Sequence, residues 1–390
     1  MIAYGRQDIT QADIDAVVSV LQSDLLTQGP QVPAFEQAVA THCQLPYAVA
    51  VNSATSGLHI ACLALGLKPG DRLWTSPITF VASANCALYC GAQVDFVDID
   101  FRTGNMCVAD LAERLARAER EGRLPKIVVP VHFGGQPCDM VQIHQLSQRY
   151  GFKIIEDASH AIGATYLGEP VGNCHYSDCT VFSFHPVKIV TTAEGGVVTT
   201  RSKEVFDKLE RLRSHGITRD PAQFVEVSHG PWYYEQVDLG FNYRMTELQA
   251  VLGVSQMGRL RNYIRVRTRL AQHYQAALSD LPLTPLRLFS GRTSAWHLYV
   301  VRVDESSPLG RQELFGLLRA AGIGVNVHYI PVHLQPHYRK LGFTGGDFPA
   351  AERFYKHALT LPLHPRLSDA DLAHVTGTLQ QYLRDLEVTA

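Results

Sequence analysis

Residues 181–196 read V-F-S-F-H-P-V-K-I-V-T-T-A-E-G-G. The β-branched and aromatic run 179–184 is typical of a buried strand, and it stops at His185-Pro186 because proline cannot continue an interior strand. Lys188 follows in the turn just past that strand end, which is where ligands of open α/β sheets bind. Glu194-Gly195-Gly196 then allows a tight turn before the next strand. The position favours imine chemistry for this lysine, and a solvated surface lysine is the alternative.

The length and composition indicate a globular protein of two domains. A chain of 390 residues is long for one core, so a large domain is predicted at 1–245 and a connecting helix with a small domain at 246–390. The N-terminal segment is free to pack on the small domain. A formal net charge of -2 without an extended basic stripe predicts neither a nucleic-acid nor a membrane partner. The N-terminus without an apolar signal core and the eight scattered cysteines favour a reducing cytoplasm.

Short apolar runs alternate with helical stretches from Tyr47 onwards. Most of these runs are joined by connections long enough for a crossover helix, so a largely parallel sheet of the α/β class is predicted. The predicted sheet strands are 47–51, 72–75, 93–97, 126–131, 153–155, 180–184 and 197–200. The predicted helices are 9–21, 32–42, 58–65, 246–281 with one interruption, 311–321, 349–358 and 368–386, and two further strands are predicted at 296–303 and 324–327.

Three further features follow predicted strand ends, as Lys188 does. Ser53-Ala54-Thr55 opens a helix whose free backbone N–H groups suit a dianionic phosphate, although an ordinary helix cap would look the same. Asp157 ends a buried strand, and either a ring-nitrogen partner or a helix cap explains it. Phe80 is a candidate ring-stacking residue or a core phenylalanine. The interval from Asp157 to Lys188 leaves room for one crossover and one strand, so both are expected at the same sheet edge.

A phosphate cradle, a stacking ring, an acid for a pyridine nitrogen and an imine-forming lysine together match the requirements of pyridoxal 5′-phosphate. Neither a dinucleotide fingerprint nor a Walker motif competes with this interpretation. His328, His333 and His337 raise the question of a metal site. Their window is broken by proline and contains no acidic residue, so no metal is predicted.

The order of the motifs resembles the sugar-nucleotide aminotransferases of the DegT/DnrJ/EryC1/StrS family. The resemblance covers about residues 4–365 and is carried by N-S-A-T-S, T-F-V-A-S-A-N, E-D-A-S-H-A-I-G, F-S-F-H-P-V-K-I-V-T-T-A-E-G-G, R-S-H-G-I-T-R, L-G-F-N-Y-R-M-T-E-L-Q-A and V-H-Y-I-P-V-H-L-Q-P-H-Y. It implies the aspartate-aminotransferase-like fold (fold type I), with a seven-stranded, mostly parallel sheet and a smaller C-terminal α/β domain. Within the family, the chain most resembles the branch that makes a 4-amino sugar for pseudaminic acid.

The resemblance also implies roles for individual residues. Lys188 would form the imine and shuttle the proton, and Asp157 would pair with the pyridine nitrogen. The other implied cofactor contacts are Phe80 on the ring, His160 near the ring hydroxyl where many relatives have glutamine, Ser53, Ala54, Thr55 and Ser183 on the phosphate, and Asn242 from the neighbouring subunit of a homodimer. The implied substrate contacts are Tyr4, Thr27, Gln28, His328 and Tyr329, with Arg244 as a candidate for the donor carboxylate.

The implied reaction moves an amino group from L-glutamate to the 4-keto group of a UDP-4-keto-6-deoxy-N-acetylhexosamine. Three alternatives stay open. The first is a transaminase of the family acting on another 4-keto or 3-keto nucleotide sugar. The second is a related dehydratase, for which the resemblance implies a histidine in place of Lys188. The third is a non-catalytic sugar-sensing protein on the same fold.

Overall fold

The computed structural model describes residues 1–384. Its α-helices are α1 (Gln11–Leu21), α2 (Gln31–Cys43), α3 (Ala54–Ala64), α4 (Ala82–Tyr89), α5 (Val108–Arg120), α6 (Met140–Tyr150), α7 (Lys203–Arg213), α8 (Glu247–Met257), α9 (Leu260–Ala277), α10 (Arg311–Ala320), α11 (Pro336–Arg339), α12 (Pro349–His357) and α13 (Asp369–Arg384). Its strands are β1 (Tyr47–Val51), β2 (Arg72–Thr75), β3 (Gln93–Phe96), β4 (Ile127–Val129), β5 (Lys153–Asp157), β6 (Thr165–Tyr166), β7 (Glu169–Pro170), β8 (Cys179–Ser183), β9 (Gly196–Thr200), β10 (Ile217–Thr218), β11 (Glu235–Gln236), β12 (Leu283–Pro285), β13 (Arg292–Thr293), β14 (Tyr299–Val303) and β15 (Ala358–Leu361).

The central sheet has seven strands in the order β1-β9-β8-β5-β4-β2-β3. All seven strands predicted for it are present, with small differences at their ends. The pairs from β8 through β5, β4 and β2 to β3 are parallel. Helices α4, α5 and α6 make the crossovers from β2 as far as β5, and a helix-free segment that contains the β6–β7 hairpin makes the crossover from β5 to β8. By contrast β9 is antiparallel to both β8 and β1, since only a loop joins β8 to β9. The predicted mostly parallel sheet is therefore confirmed.

Helices cover both faces of this sheet, so its central strands are continuous apolar runs. Every residue of β8 is buried, as is every residue of β9. The carboxyl ends of β2, β5 and β8 lie at one edge of the sheet, and the chain leaves each of them in a loop rather than entering a helix at once. Side chains from these loops therefore converge on one crevice.

The C-terminal part of the chain forms a smaller antiparallel sheet, β12-β14-β15. The strand predicted at 324–327 is wrong, since this segment makes only isolated bridges, Ile323 to Ile2 and Asn326 to Thr360. The strand that pairs with β14 is instead β15, which was not predicted because its four residues directly follow the last turn of α12. The short strand β12 was not predicted either.

The predicted connecting helix 246–281 has the one interruption expected, between α8 and α9. The N-terminal segment packs against the C-terminal part of the chain, because the backbone of Ile2 forms hydrogen bonds with the backbones of both Gly322 and Gly324. The domain division at 245/246 stays a prediction.

The helix predicted at 368–386 corresponds to α13, and its last two predicted residues lie outside the described part of the chain. Across residues 1–384, no helix combines the length and apolarity needed to span a bilayer.

Candidate active site

A cavity of about 570 Å³ opens at the carboxyl ends of β2, β5 and β8. Eleven predicted site residues line it, namely Tyr4, Ser53, Ala54, Thr55, Phe80, Asp157, His160, Ser183, Lys188, His328 and Tyr329. Thr79, His297 and Asn326 line it as well, and none of these three was predicted. One cavity thus unites the phosphate cradle, the aromatic ring, the carboxylate and the lysine.

Lys188 is half-buried and lines this cavity, so the alternative of a solvated surface lysine is wrong. Burial lowers the pKa of Lys188 to about 8, and the nearby Asp157 carboxylate opposes part of that shift. The loop that carries the lysine is closed at its base, since Phe184 exchanges backbone hydrogen bonds with Gly195 and Thr192. Its tight turn has a left-handed residue at Ala193, so the glycines that follow are not required for that conformation. An amine that is partly neutral near neutral pH can act as a nucleophile and as a proton acceptor.

Two adjacent carboxylates end β5, and they point to opposite faces of the sheet. Asp157 lies in the cavity wall, where Oδ2 accepts a hydrogen bond from Ser83 Oγ at 2.5 Å and Oδ1 accepts one from Ser159 N at 3.1 Å. Glu156 is buried on the other face and accepts a 2.7 Å hydrogen bond from His132 Nε2. Only Asp157 is therefore placed to meet a ligand in the cavity.

The cradle is the first turn of α3. Ser53 is its N-cap, and the Ser53 hydroxyl accepts a hydrogen bond from Ser56 N at 3.1 Å, so the capping interpretation is correct. The same turn also lines the cavity through Ala54 and Thr55, so capping and ligand binding coexist. Gly196 lies against it so closely that a Cβ there would be 2.6 Å from Ala54 N. A helix N-terminus with free N–H groups and no crowding side chain suits a dianionic phosphate.

His160 is neutral in this site. Burial lowers its pKa well below the ordinary value, and the positive charge of Lys188 adds to the effect. The backbone N–H of Gly134 donates to Nδ1 at 3.3 Å, which leaves the ring proton on Nε2 facing Tyr329 Oη at 3.2 Å. The ring of His297 packs beside it at an interplanar angle of 46°, with the ring centroids 4.4 Å apart. His160 is thus fixed in one tautomer on the cavity wall.

Phe80 is on the rim of the cavity and is 61% exposed, so the alternative of a core phenylalanine is wrong. A large exposed ring at the mouth of a cavity is placed to cover a planar ligand. The histidines considered for a metal have separate partners, since His328 bonds to Thr360 and His333 to Glu352. The described residues contain no group of three or more His, Cys, Asp or Glu side chains arranged for a metal ion.

Four predicted residues lie outside the set that lines this cavity, as the described residues place them. Gln28 lines a separate cavity of about 520 Å³, together with Arg244. Asn242 contacts its own chain through its backbone, which bridges to Ser214 and accepts a 3.5 Å bond from Asn52. Thr27 precedes Gln28 in the same loop. The single chain therefore brings together most, but not all, of the predicted site.

The model of the DegT/DnrJ/EryC1/StrS aminotransferase family matches residues 7–380. The chain belongs to this family. It is 39% identical over 388 residues to the spore coat polysaccharide biosynthesis protein SpsC of Bacillus subtilis strain 168, covering 98% of this chain and 97% of that protein. It is 36% identical over 388 residues to the UDP-4-amino-4,6-dideoxy-N-acetyl-beta-L-altrosamine transaminase of Campylobacter jejuni serotype O:23/36, covering 99% of each chain.

Solved structures agree with the fold. Helicobacter pylori PseC, an aminotransferase of pseudaminic acid biosynthesis, superposes with a TM-score of 0.90 at 29% identity, covering 98% of this chain and 99% of that one. The PLP form of Spr1654 from Streptococcus pneumoniae gives 0.87 at 30% identity, covering 98% of both. The predicted aspartate-aminotransferase-like fold is confirmed. The protein is a sugar aminotransferase that uses pyridoxal 5′-phosphate.

The residues of the aminotransferase cavity fit this cofactor. The uncrowded N-terminus of α3 suits the phosphate, the Lys188 amine is partly neutral, and the buried Asp157 carboxylate faces the same space. When bound, the cofactor supplies an electron sink for the carbon from which a proton is removed. Sequence reasoning missed Ser83, Thr79 and His297. The four-residue spacing of Thr79 and Ser83 was the only available signal, since such residues share one side of a helical turn.

Proposed function

We propose that this aminotransferase moves the amino group of L-glutamate to the 4-keto group of a UDP-4-keto-6-deoxy-N-acetylhexosamine. The product would be UDP-4-amino-4,6-dideoxy-N-acetyl-β-L-altrosamine, used for pseudaminic acid. The observation that carries the catalytic part is the cavity in which the Lys188 amine, with its pKa near 8, faces the Asp157 carboxylate. The Campylobacter and Helicobacter relatives support the choice of sugar.

In this proposal the two residues divide the work. The neutral Lys188 amine would hold the cofactor through an imine to its aldehyde carbon, with loss of water, and as a free amine would carry a proton between two carbon atoms as base and then acid. Asp157 holds positive charge on the ring nitrogen. The neutral His160 donates from Nε2, and Phe80 covers the ring. Tyr4, His328 and Tyr329, which line the same cavity, would contact the sugar.

A second candidate acceptor deserves a test because the relative from Bacillus subtilis, named for spore coat polysaccharide synthesis, is 39% identical. The second candidate is another 4-keto or 3-keto nucleotide sugar. The deciding experiment offers purified protein L-glutamate with a panel of 4-keto UDP- and dTDP-sugars and measures 2-oxoglutarate and the amino sugar. The proposal expects the UDP-N-acetylhexosamine to give the highest kcat/KM. A higher value with another sugar supports the second candidate, and no turnover with any sugar contradicts both. The Lys188→Ala protein is the control.

We also propose that the active unit is a cytoplasmic homodimer with shared sites. The eight cysteines are all free thiols, as expected in a reducing compartment. Asn242 is not among the residues that line the cavity of its own chain, so its proposed phosphate contact requires a partner. The segment 219–239 beside it exposes Val225, Val227, Trp232 and Leu239, each more than 70% accessible. Such a cluster on one surface arm is typical of an interface, and an isologous pair would cover both copies.

A mixing experiment tests the shared site. Asn242→Ala and Lys188→Ala proteins are each expected to be nearly inactive. If sites are shared, one site of the heterodimer carries both lesions and the other is intact, so co-refolded mixtures should regain activity towards half per dimer. If Asn242 acts within its own chain, each site keeps one lesion and no activity returns. Sedimentation measurements on the same mixtures confirm that dimers have formed.

A further inference from the structure

The Asp157 carboxylate is held by two donors of its own chain. The Ser83 hydroxyl binds Oδ2 at 2.5 Å, at the short limit for an O–H···O⁻ hydrogen bond, and Ser159 N binds Oδ1 at 3.1 Å. Ser83 is fully buried and Asp157 is 5% exposed, so water does not compete for this contact. Because a carboxylate can only accept, the proton in the short bond belongs to Ser83.

Thr79 extends the contact into a chain of three groups. Its hydroxyl lies 2.7 Å from Ser83 Oγ, and both residues are buried. The only proton of Ser83 is committed to Asp157, so Thr79 is the donor in the second bond. The direction is therefore fixed from Thr79 through Ser83 to Asp157. In a buried setting each donor polarises the next, which strengthens the final bond.

We propose that Ser83, supported by Thr79, is a positioning residue that determines how firmly Asp157 holds the ring nitrogen of the cofactor. The proposal rests on the role proposed above for Asp157. The two fixed bonds set the plane of the carboxylate and leave its other lone pairs for the cavity. Without the Ser83 hydroxyl, Oδ2 loses its donor and the carboxylate is held by Ser159 N alone, so its orientation is less well fixed and its contact with the ring nitrogen weakens. No contact between Ser83 and the cofactor is required, since Ser83 acts through Asp157.

The test compares two ligands that differ in one atom. Apoprotein is titrated with pyridoxal 5′-phosphate and with an analogue in which the ring nitrogen is replaced by C–H, and the ratio of their dissociation constants is measured. Both ligands carry the phosphate and the aldehyde, so the ratio isolates the contact made by the ring nitrogen. Ser83→Ala is expected to lower the preference for the natural cofactor about tenfold, the equivalent of one strong hydrogen bond. Ser83→Thr keeps the hydroxyl and should retain most of the preference.

Ser76→Ala is the matched control. Ser76 is as deeply buried as Ser83, yet its hydroxyl has no hydrogen-bond partner among residues 1–384, so the preference should not change. An unchanged preference in folded Ser83→Ala protein overturns the inference, as does an equal loss in Ser76→Ala. Should Ser83→Ala fail to fold, Thr79→Val decides, since it removes the second bond only. A preference lowered about threefold supports the inference and an unchanged one overturns it.

The outcome is separable from that of the proposed reaction. The ratio needs neither glutamate nor a nucleotide sugar, so failure to find an acceptor leaves it unaffected. Asp157→Asn should abolish most of the preference, and adding Ser83→Ala to it should change little more. A wild-type preference that Asp157→Asn leaves intact overturns this inference together with the role of Asp157, even if the protein turns over its substrates.

Discussion

Replacement of Gly196 by alanine should damage the phosphate cradle specifically. Gly196 begins β9 and faces the first turn of α3. A Cβ at this position would lie 2.6 Å from Ala54 N, 2.7 Å from Ala54 Cα and 2.7 Å from the carbonyl carbon of Ser53. All three are backbone atoms, so no side-chain rotation relieves the overlap. Space, rather than an unusual φ, is what requires glycine here.

The size of the effect follows from these contacts. An ordinary van der Waals contact begins near 3.4 Å, so the helix end must retreat by about 0.8 Å. The strand cannot move in its place, because Gly196 is paired with Val51 on one side and Ser183 on the other. Overpacking of this kind costs about 1–3 kcal/mol of unfolding free energy. Loss of one charge-assisted N–H contact to the phosphate should weaken cofactor binding about tenfold or more.

The measurements are urea unfolding of the apoprotein and fluorescence titration with pyridoxal 5′-phosphate. Gly316→Ala is the matched control, since a Cβ on Gly316 would meet none of the described atoms within 4 Å. That change lies inside α10 and should leave binding unaltered while stabilising the fold by up to about 1 kcal/mol. Wild-type affinity and stability in the Gly196→Ala protein would refute the close approach of β9 to α3.

The remaining predictions concern titratable groups. Lys188→Ala should abolish the visible absorbance of bound cofactor and turnover, and borohydride labelling of another lysine in the wild type would contradict this. With a pKa near 8, Lys188 should capture the cofactor aldehyde at a rate that rises with pH and levels off above pH 8, as stopped-flow absorbance can show, because only the neutral amine attacks. Burial alone would raise the pKa of Glu156, but hydrogen bonds from His132, Ser177 and Thr180 outweigh burial and lower this pKa. The ionised Glu156 therefore stabilises the fold above pH 4.5, and this stabilisation is lost as the pH falls through the pKa of Glu156 in the folded protein. The free energy of unfolding, measured with urea between pH 6 and 3, should therefore fall less steeply with pH in Glu156→Gln than in the wild type, by at most ~1.4 kcal/mol per pH unit. Equal slopes in the two proteins would contradict this prediction.

The central sheet was predictable because strands buried on both faces are uninterrupted apolar runs between helices. The smaller sheet was not, because its strands are short and its pairing depends on distant segments. Residues 324–327 have the composition of a strand, yet their neighbours are single backbone contacts from Ile2 and Thr360. The partners of β14 are β12, which has three residues, and β15, whose four residues continue from a helix without a turn signal. Local pattern does not determine such pairings.

For the site, the sequence revealed residues that sit in short motifs at strand ends, such as Lys188 and Asp157. It missed Ser83, whose importance appears only when α4 is packed against the end of β5. It missed His297, which no motif marks and which reaches the cavity from the loop before β14. It also predicted that Gln28 and Asn242 belong to the site, and a single chain does not bring either of them into the cavity, so these two stay predictions about an assembly.

The topology of the sheet explains why a flexible side chain can serve as the reactive amine. The strands that follow one another from β1 to β5 are joined through helices, but β9 returns directly beside β8 in the opposite direction. The loop between them spans residues 184–195 and is closed at its base by the backbone bonds of Phe184 to Gly195 and Thr192. Because β8 is also the neighbour of β5, this closed loop holds Lys188 next to the strand end that carries Asp157. A crossover helix in place of the loop would have carried the lysine to one face of the sheet, away from the carboxylate that its reaction requires.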